Sequence, residues 1–112
     1  MILNKTKNKT ISKKEIICKS LFSQGIGLMF HRRQNLIMIF PKERTVQLHN
    51  FFVFYSIDVL LLDEKMRIVE IKRNFRPFTC WNSQQKGKYL LELAFFGECA
   101  RGDVLEINLI FH

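Results

Sequence analysis

The chain has 112 residues, of which 47% are hydrophobic, so it can form one domain with its own core and is too apolar for a disordered protein. Cys18, Cys80 and Cys99 lie far apart without a CxxC or Cys/His pair, which excludes a zinc site by spacing and argues against a disulfide framework. The longest apolar run, residues 51–62, is shorter than the ~20 residues of a transmembrane helix. We therefore expect a cytoplasmic protein with no metal, no cofactor and no membrane contact.

The net charge of +8 is concentrated in the first third of the chain. Residues 1–33 hold eight basic residues and one acid, whereas residues 34–112 hold ten basic residues and nine acids. Such a basic face suits an anionic partner, although lysines that keep an edge strand soluble give the same pattern. We expect residues 1–9 to be a flexible basic terminus and residues 10–112 to be a single globular domain.

The first half of the chain predicts short strands and one short helix. Residues 10–18 predict a strand, residues 20–25 a helix that ends at glycine, and residues 36–40 a strand that ends at Pro41. The segment from 45 to 62 is too long for one strand of ~5–6 residues. It predicts two strands, or one kinked strand with a bend near residues 55–56, and its nearly continuous apolar run predicts that both faces are covered.

The second half continues in the same way. Residues 63–65 predict a hairpin turn, 66–72 a returning strand, 73–88 a loop, 89–93 a strand and 103–111 a final strand. Tyr89, Leu91 and Leu93 should share one face. Because no long helix is available for parallel crossovers, the predicted class is all-β or β-dominated (α+β), a small open barrel or a twisted antiparallel or mixed sheet.

Four segments, taken in order, carry a resemblance to a known family: Gly27-Leu28-Met29-Phe30 before a basic pair, the run from Leu48 through His49 and Asp58 to Leu60, Ile68-Val69-Glu70, and Leu91-Glu92-Leu93 with Gly102-Asp103. The sequence resembles the family called domain of unknown function 192, and its archaeal branch most. The resemblance covers residues 16–107. It implies a small β-rich domain with a short helix before the Gly-Leu-Met-Phe turn, and no established activity.

Three positions depart from that family's pattern. Asn50 stands in place of methionine, and Ser56 and Ala94 stand in place of proline. The chain is therefore expected to be a divergent member, and sites that the family carries on its loops are not transferred to it.

His49 and Asp58 are polar residues within the most apolar segment. In one extended strand they would lie about 30 Å apart, so a His-Asp dyad is not expected. A buried carboxylate needs partners, and Asp58 is predicted to accept backbone N–H bonds at the bend or to pair with Arg32 or Arg33. His49 is read as a satisfied sheet histidine, with a ligand or proton-transfer role as the alternative.

Basic and aromatic residues alternate in residues 72–81, which include Arg73, Arg76 and Trp81. Surfaces that bind single-stranded nucleic acid combine cations and stacking rings in this way. The alternative is a loop whose rings pack into the core while its cations stay in water. Near Gly25 and Gly27, Arg32 and Arg33 could hold an anion with backbone amides.

The sequence contains no Ser-His-Asp, HExxH, paired-carboxylate or P-loop arrangement, so no catalytic residue is predicted and a non-enzymatic role is favoured. The leading hypothesis is a small binding or accessory domain that recognises an anionic or protein partner through its basic N-terminal face. One alternative is an enzyme that uses His49 or Asp58 in a pocket. Another is a protein–protein adaptor that uses exposed phenylalanines, for which a homo-oligomer is one form.

Overall fold

The structure is a computed structural model that describes residues 1–13, 15–18, 35–49, 55–94 and 98–108. Within these ranges the chain forms ten strands and no helix. The strands are β1 (Ile2–Asn4), β2 (Lys9–Ser12), β3 (Glu15–Cys18), β4 (Asn35–Arg44), β5 (Gln47–His49), β6 (Ile57–Leu62), β7 (Ile68–Phe75), β8 (Cys80–Asn82), β9 (Gly87–Leu93) and β10 (Leu105–Ile107).

The strands form three sheets. A five-stranded sheet has the order β3-β4-β9-β6-β7, a three-stranded sheet has the order β10-β1-β2, and β5 pairs with β8. Strands β3 and β4 are parallel, and the other paired strands are antiparallel. The predicted β-dominated class is confirmed. The predicted helix at 20–25 lies outside the described residues.

The five-stranded sheet is buried on both faces. Val59 and Leu61 belong to one apolar cluster and Leu60 and Leu62 to the other, as the alternation of side chains along β6 requires. The first cluster also contains Leu48 of β5, so the two-stranded sheet packs on that face. The second contains apolar residues of the three-stranded sheet: Ile2, Ile11 and Leu105.

The central segment divides as predicted. Strands β5 and β6 belong to different sheets, and the backbone bends at Tyr55 between them. The turn after β6 needs no glycine because the Asp63 carboxylate accepts the backbone N–H groups of Lys65 (2.9 Å) and Arg67 (3.0 Å). Leu91 and Leu93 lie in one cluster with Tyr89 packed against it, whereas Leu90 lies in the other.

Several predicted boundaries are wrong. The single strand predicted at 10–18 divides into β2 and β3, which belong to different sheets. Strand β4 does not end at Pro41 but continues to Arg44. Its register with β9 shifts between Ile39 and Arg44, so Pro41 lies where the ladder is irregular and its missing N–H costs little. Within the predicted loop 73–88, β7 continues to a buried Phe75 and β8 forms opposite β5.

The N-terminal segment also differs from the expected flexible terminus. Residues 2–4 form β1, which lies between β2 and β10 and buries Ile2 and Asn4 completely. The physical reason is that Ile2 fills the second apolar cluster and Asn4 hydrogen-bonds to a distant loop.

Candidate functional site

The described part of the basic N-terminal face centres on the β1–β2 turn. Exposed Lys5 and Lys9 line an open cavity of about 300 Å³. The remaining lining residues are Leu3, Asn4, Asn8, Thr10 and Glu106. Lys5 and Lys9 are the basic residues of this lining, and Glu106 is its acidic residue.

Several hydrogen bonds fix this turn. The Lys5 N–H donates to the Val104 carbonyl (2.9 Å), and the Val104 N–H donates to Thr6 Oγ1 (2.9 Å). The Lys7 N–H donates to Asn4 Oδ1 (3.1 Å), and Asn8 has a φ of 55°, which asparagine tolerates better than most residues. The two lysines are thus presented from a held turn.

The buried carboxylate of Asp103 anchors the β1–β2 turn through Asn4 and Lys7. Asp103 Oδ2 accepts hydrogen bonds from Asn4 Nδ2 (2.8 Å), Lys7 Nζ (2.9 Å) and the Ala100 N–H (2.9 Å). The hydrogen bond from Asn4 is the main cause that holds the pKa of Asp103 below its ordinary value of 3.8. Burial opposes this effect, and Lys7 and the Ala100 N–H reinforce it. The charged form of Asp103 is therefore the form that the fold selects.

The lysines of this face differ in their pairing. Lys7 is committed to Asp103, whereas Lys5, Lys9 and Lys13 form no ion pair with any residue that the structure describes. Unpaired ammonium groups on an exposed turn leave a positive local potential that salt can screen.

The sequence predicted that Asp58 accepts backbone N–H bonds or pairs with Arg32 or Arg33. In the structure it accepts a backbone N–H bond and pairs with Arg73, while residues 32 and 33 lie outside the described part. Arg73 Nη1 donates to Asp58 Oδ2 (3.0 Å), and the Asn74 N–H donates to Asp58 Oδ1 (3.0 Å). Asp58 lies where the register of β6 and β7 shifts, so the carboxylate bridges a bulge. Arg73 also donates to the Cys99 carbonyl. Both Asp58 oxygens are thus engaged, which disfavours a role for this carboxylate as a general base.

The other predicted site residues are not brought into one group by the described structure. The His49 backbone pairs with Cys80, and its side chain is outside the description. Half-buried Trp81 packs against the first apolar cluster, and Arg76 is exposed. Residues 19–34 are outside the described part, and they include Gly27, Leu28, Met29, Arg32 and Arg33.

The described residues form neither a metal site nor a membrane-spanning helix. Among the described residues, no group of three His, Cys, Asp or Glu side chains could hold a metal ion. The described part also has no helix that is long and apolar enough to cross a membrane.

Sequence reasoning missed the contribution of Asn4 and Lys7. Asn4 lies among lysines in a segment without a long apolar pattern, and its partner Asp103 is 99 residues away. The sequence feature that points to this contact is the Gly102-Asp103 motif. Gly102 has a φ of 90° in a turn in which the Asp103 N–H donates to the Ala100 carbonyl.

Comparison with known proteins decides the family. The family model for DUF192, described as Uncharacterized ACR, matches residues 2–105. The chain belongs to the DUF192 family. Its match begins in β1, so the family pattern includes the N-terminal strand that the sequence reading had left outside the domain.

DUF192 relatives include archaeal proteins named UPF0127. The chain is 32% identical over 95 residues to one from Pyrococcus horikoshii, a match that covers 82% of each protein. It is 34% identical over 96 residues to one from Thermococcus sibiricus, which covers 82% of this chain and 62% of that protein. These names report no activity.

Two crystal structures have a similar fold. A Sinorhizobium meliloti 1021 protein described as a candidate transcription regulator has a TM-score of 0.77 at 19% identity, over 94% of this chain and 88% of that one. A Novosphingobium aromaticivorans protein of unknown function has a TM-score of 0.77 at 15% identity, over 95% and 81% of the two chains. At these identities the likeness establishes the fold alone.

Proposed function

We propose that this DUF192 domain is a binding module that recognises a polyanion through the β1–β2 turn. The observation that carries the proposal is the pairing pattern: Lys5 and Lys9 line one cavity without an acidic partner in the described chain, on a turn that backbone and side-chain hydrogen bonds hold in place. Ordered lysines lose less conformational freedom on binding than lysines on a mobile tail. A polyanion binds to such a face because each lysine that contacts it releases counterions condensed on the polyanion.

The test is binding of a fluorescent single-stranded RNA and of heparin to the full chain at several salt concentrations. The Lys5→Gln/Lys9→Gln double variant should bind roughly tenfold more weakly at low salt and reduce the slope of log K against log salt by about two. The Lys42→Gln/Lys65→Gln variant is the matched control, since it removes the same charge from exposed positions on β4 and the β6–β7 turn.

Equal weakening in the control would assign the effect to net charge and overturn the proposal. Absence of salt-sensitive binding to either polyanion would also overturn it. Because RNA carries bases and heparin carries none, a strong preference for RNA would identify nucleic acid as the polyanion, whereas equal binding would indicate charge recognition.

A second candidate function, contact with a protein partner, rests on Phe78. This side chain is 62% exposed, and its backbone has a φ of 62° in a turn where Thr79 Oγ1 donates to the Arg76 carbonyl. A bulky residue in the left-handed region is uncommon and marks a position to test for function. Sedimentation velocity of the wild type and of Phe78→Ser measures self-association. Concentration-dependent association that Phe78→Ser abolishes favours this candidate, and identical monomeric profiles count against it.

A further inference from the structure

A second cavity lies beside the edge strand β7, on residues that the polyanion face does not use. It is open, has a volume of about 470 Å³, and is lined by Arg67, Ile68, Val69, Gln85, Arg101 and Gly102. It shares no lining residue with the cavity at Lys5 and Lys9. Its two arginines and one amide are the donor types that oxyanions accept hydrogen bonds from.

The wall that carries Arg101 is a fixed turn. The Gly102 N–H donates to the Ile68 carbonyl (2.8 Å), and the Ile68 N–H donates to the Asp103 carbonyl (2.9 Å), which joins the turn to β7. The φ of 90° at Gly102 and the bond from the Asp103 N–H to the Ala100 carbonyl define a tight turn with Arg101 at its second position. The buried Asp103 carboxylate ties the same turn to β1.

The Glu70 carboxylate fixes the wall that carries Gln85, and its hydrogen bonds to the backbone already engage it. Glu70 Oε1 accepts the backbone N–H groups of Gln84 (2.9 Å) and Gln85 (2.8 Å), which holds the segment before β9 against β7. Arg67 pairs with Val104 in an isolated antiparallel bridge, so its backbone is also constrained. The backbone that carries these side chains is therefore held in place, which lowers the cost of ordering it on binding.

The charge of the cavity remains uncompensated. The guanidinium groups of Arg67 and Arg101 form no ion pair within the described ranges, and both side chains are exposed. The nearby carboxylates of Asp63, Glu70 and Asp103 accept backbone N–H bonds, and Asp103 also pairs with a lysine. In addition, the Arg101 N–H donates no hydrogen bond to the described part of the chain.

We infer that this cavity binds the phosphate group of a small phosphorylated molecule. Two guanidinium groups balance the charge of a phosphate dianion, and each offers a planar pair of donors that fits two phosphate oxygens. The Gln85 side chain and the Arg101 N–H supply neutral donors. Since a cavity of this size lies within the ~300–1,000 Å³ typical of small-ligand sites, it has room for more than the phosphate itself.

The experiment titrates the full chain with pyrophosphate and with inorganic phosphate, read by ¹H–¹⁵N chemical shifts and by calorimetry. Pyrophosphate should shift the backbone amides of Gln85, Arg101 and Gly102. Arg67→Gln and Arg101→Gln should each weaken its binding by about tenfold or more, whereas Arg101→Lys should retain part of the affinity because it keeps the charge without the planar pair of donors.

The controls separate this site from the polyanion face. Lys42→Gln removes one exposed charge elsewhere and should leave pyrophosphate affinity unchanged, as should Lys5→Gln/Lys9→Gln. Thermal melts establish that each variant is folded. Pyrophosphate binding that survives in both arginine variants, or that disappears in Lys5→Gln/Lys9→Gln, overturns the inference, and so does a titration that leaves the three amides unshifted.

Discussion

Asp103 joins parts of the chain that are distant in sequence. Three donors converge on its Oδ2 atom, from a strand, a turn and its own loop: Asn4, Lys7 and Ala100. Removing the carboxylate takes an acceptor away from the buried Asn4 amide, from the Lys7 ammonium group and from the Ala100 N–H. Such losses cost about 2–4 kcal/mol in proteins, so Asp103→Ala should strongly reduce the free energy of unfolding.

The pH dependence of stability provides a more specific test of Asp103. Because folding lowers the pKa of this carboxyl, its stabilising contribution is present above the ordinary pKa of 3.8 and is lost as the pH falls toward the lower folded value. Asp103→Asn keeps an acceptor of the same shape and cannot titrate. The melting temperature of the wild type should therefore fall more steeply below about pH 4 than that of the variant. Parallel pH profiles of the two proteins would contradict this assignment.

Cys80 and Cys99 differ in burial, and we expect them to differ in reactivity for that reason. Burial is the main cause that raises the pKa of the Cys99 thiol from 9.0 to about 11, and Arg73 partly offsets it. At pH 8 only roughly one Cys99 thiol in a thousand is then a thiolate, whereas Cys80 is exposed. In a Cys18→Ser background, maleimide labelling followed by peptide mass spectrometry should modify Cys80 first and Cys99 only after denaturant is added. Equal rates on the folded protein would refute this.

At the scale of single elements, local sequence patterns predicted the strands whose pairing partners are close in sequence. The β6–β7 hairpin follows from an apolar run, an aspartate at the turn and a returning alternation. Its two strands pair as predicted, although β7 is Ile68–Phe75 and not 66–72. Strands β1 and β8 have three residues each, and their partners are β10 and β5, far away in sequence. Their pairing is set by tertiary contacts, which local propensity does not contain.

The same distinction applies to the candidate site. The charge split identified the basic N-terminal third, and Lys5 and Lys9 come from it. The turn that orders these lysines depends on Asp103 and Val104, near the other end of the chain. Arg67 and Arg101 are separated by 34 positions and share no motif, so only the fold brings them to one cavity.

Gly87 of β9 has no side chain, and the adjacent strand β6 leaves no space for one. A Cβ at Gly87 would collide with the Leu61 side chain and would lie 2.9 Å from the Leu62 carbonyl oxygen of β6. Gly87→Ala should therefore reduce the free energy of unfolding by about 1–3 kcal/mol, as overpacked cores do. Urea unfolding measures this.

A double-mutant cycle separates the collision from a general preference for glycine at this position. In a Leu61→Ala background the colliding side chain is gone, and the cost of Gly87→Ala should fall to that of the remaining backbone contact with Leu62. An identical cost in both backgrounds would show that Leu61 is not the obstacle.

The whole molecule is organised as a central sheet with a smaller sheet on each face. The first apolar cluster joins the five-stranded sheet to β5, and the second joins it to the sheet formed by β1, β2 and β10. This layering explains why β6, a central strand covered on both faces, is apolar without alternation. It also makes β1 part of the folded core rather than an accessory tail, since β1 is the central strand of its sheet and buries Ile2 and Asn4.

Deletion of residues 1–9 distinguishes these two roles. Without β1, Leu105 and Ile11 lose the cover of Ile2, and Asp103 loses Asn4 and Lys7. Burial of one isoleucine and the broken hydrogen bonds together are worth at least about 3 kcal/mol, so the deletion should unfold the domain or lower its urea midpoint sharply.

Two point variants test whether this loss of stability comes from the buried strand β1 or from the lysine charges beside it. Ile2→Ala should cost about 2–4 kcal/mol because Ile2 is completely buried. Lys5→Gln/Lys9→Gln should change stability by less than about 0.5 kcal/mol, since both side chains are exposed and neither forms an ion pair in the described structure. A deletion that leaves the urea midpoint unchanged would restore the flexible-terminus interpretation. It would also weaken the polyanion proposal, because lysines on a mobile tail would no longer be held at a preformed site.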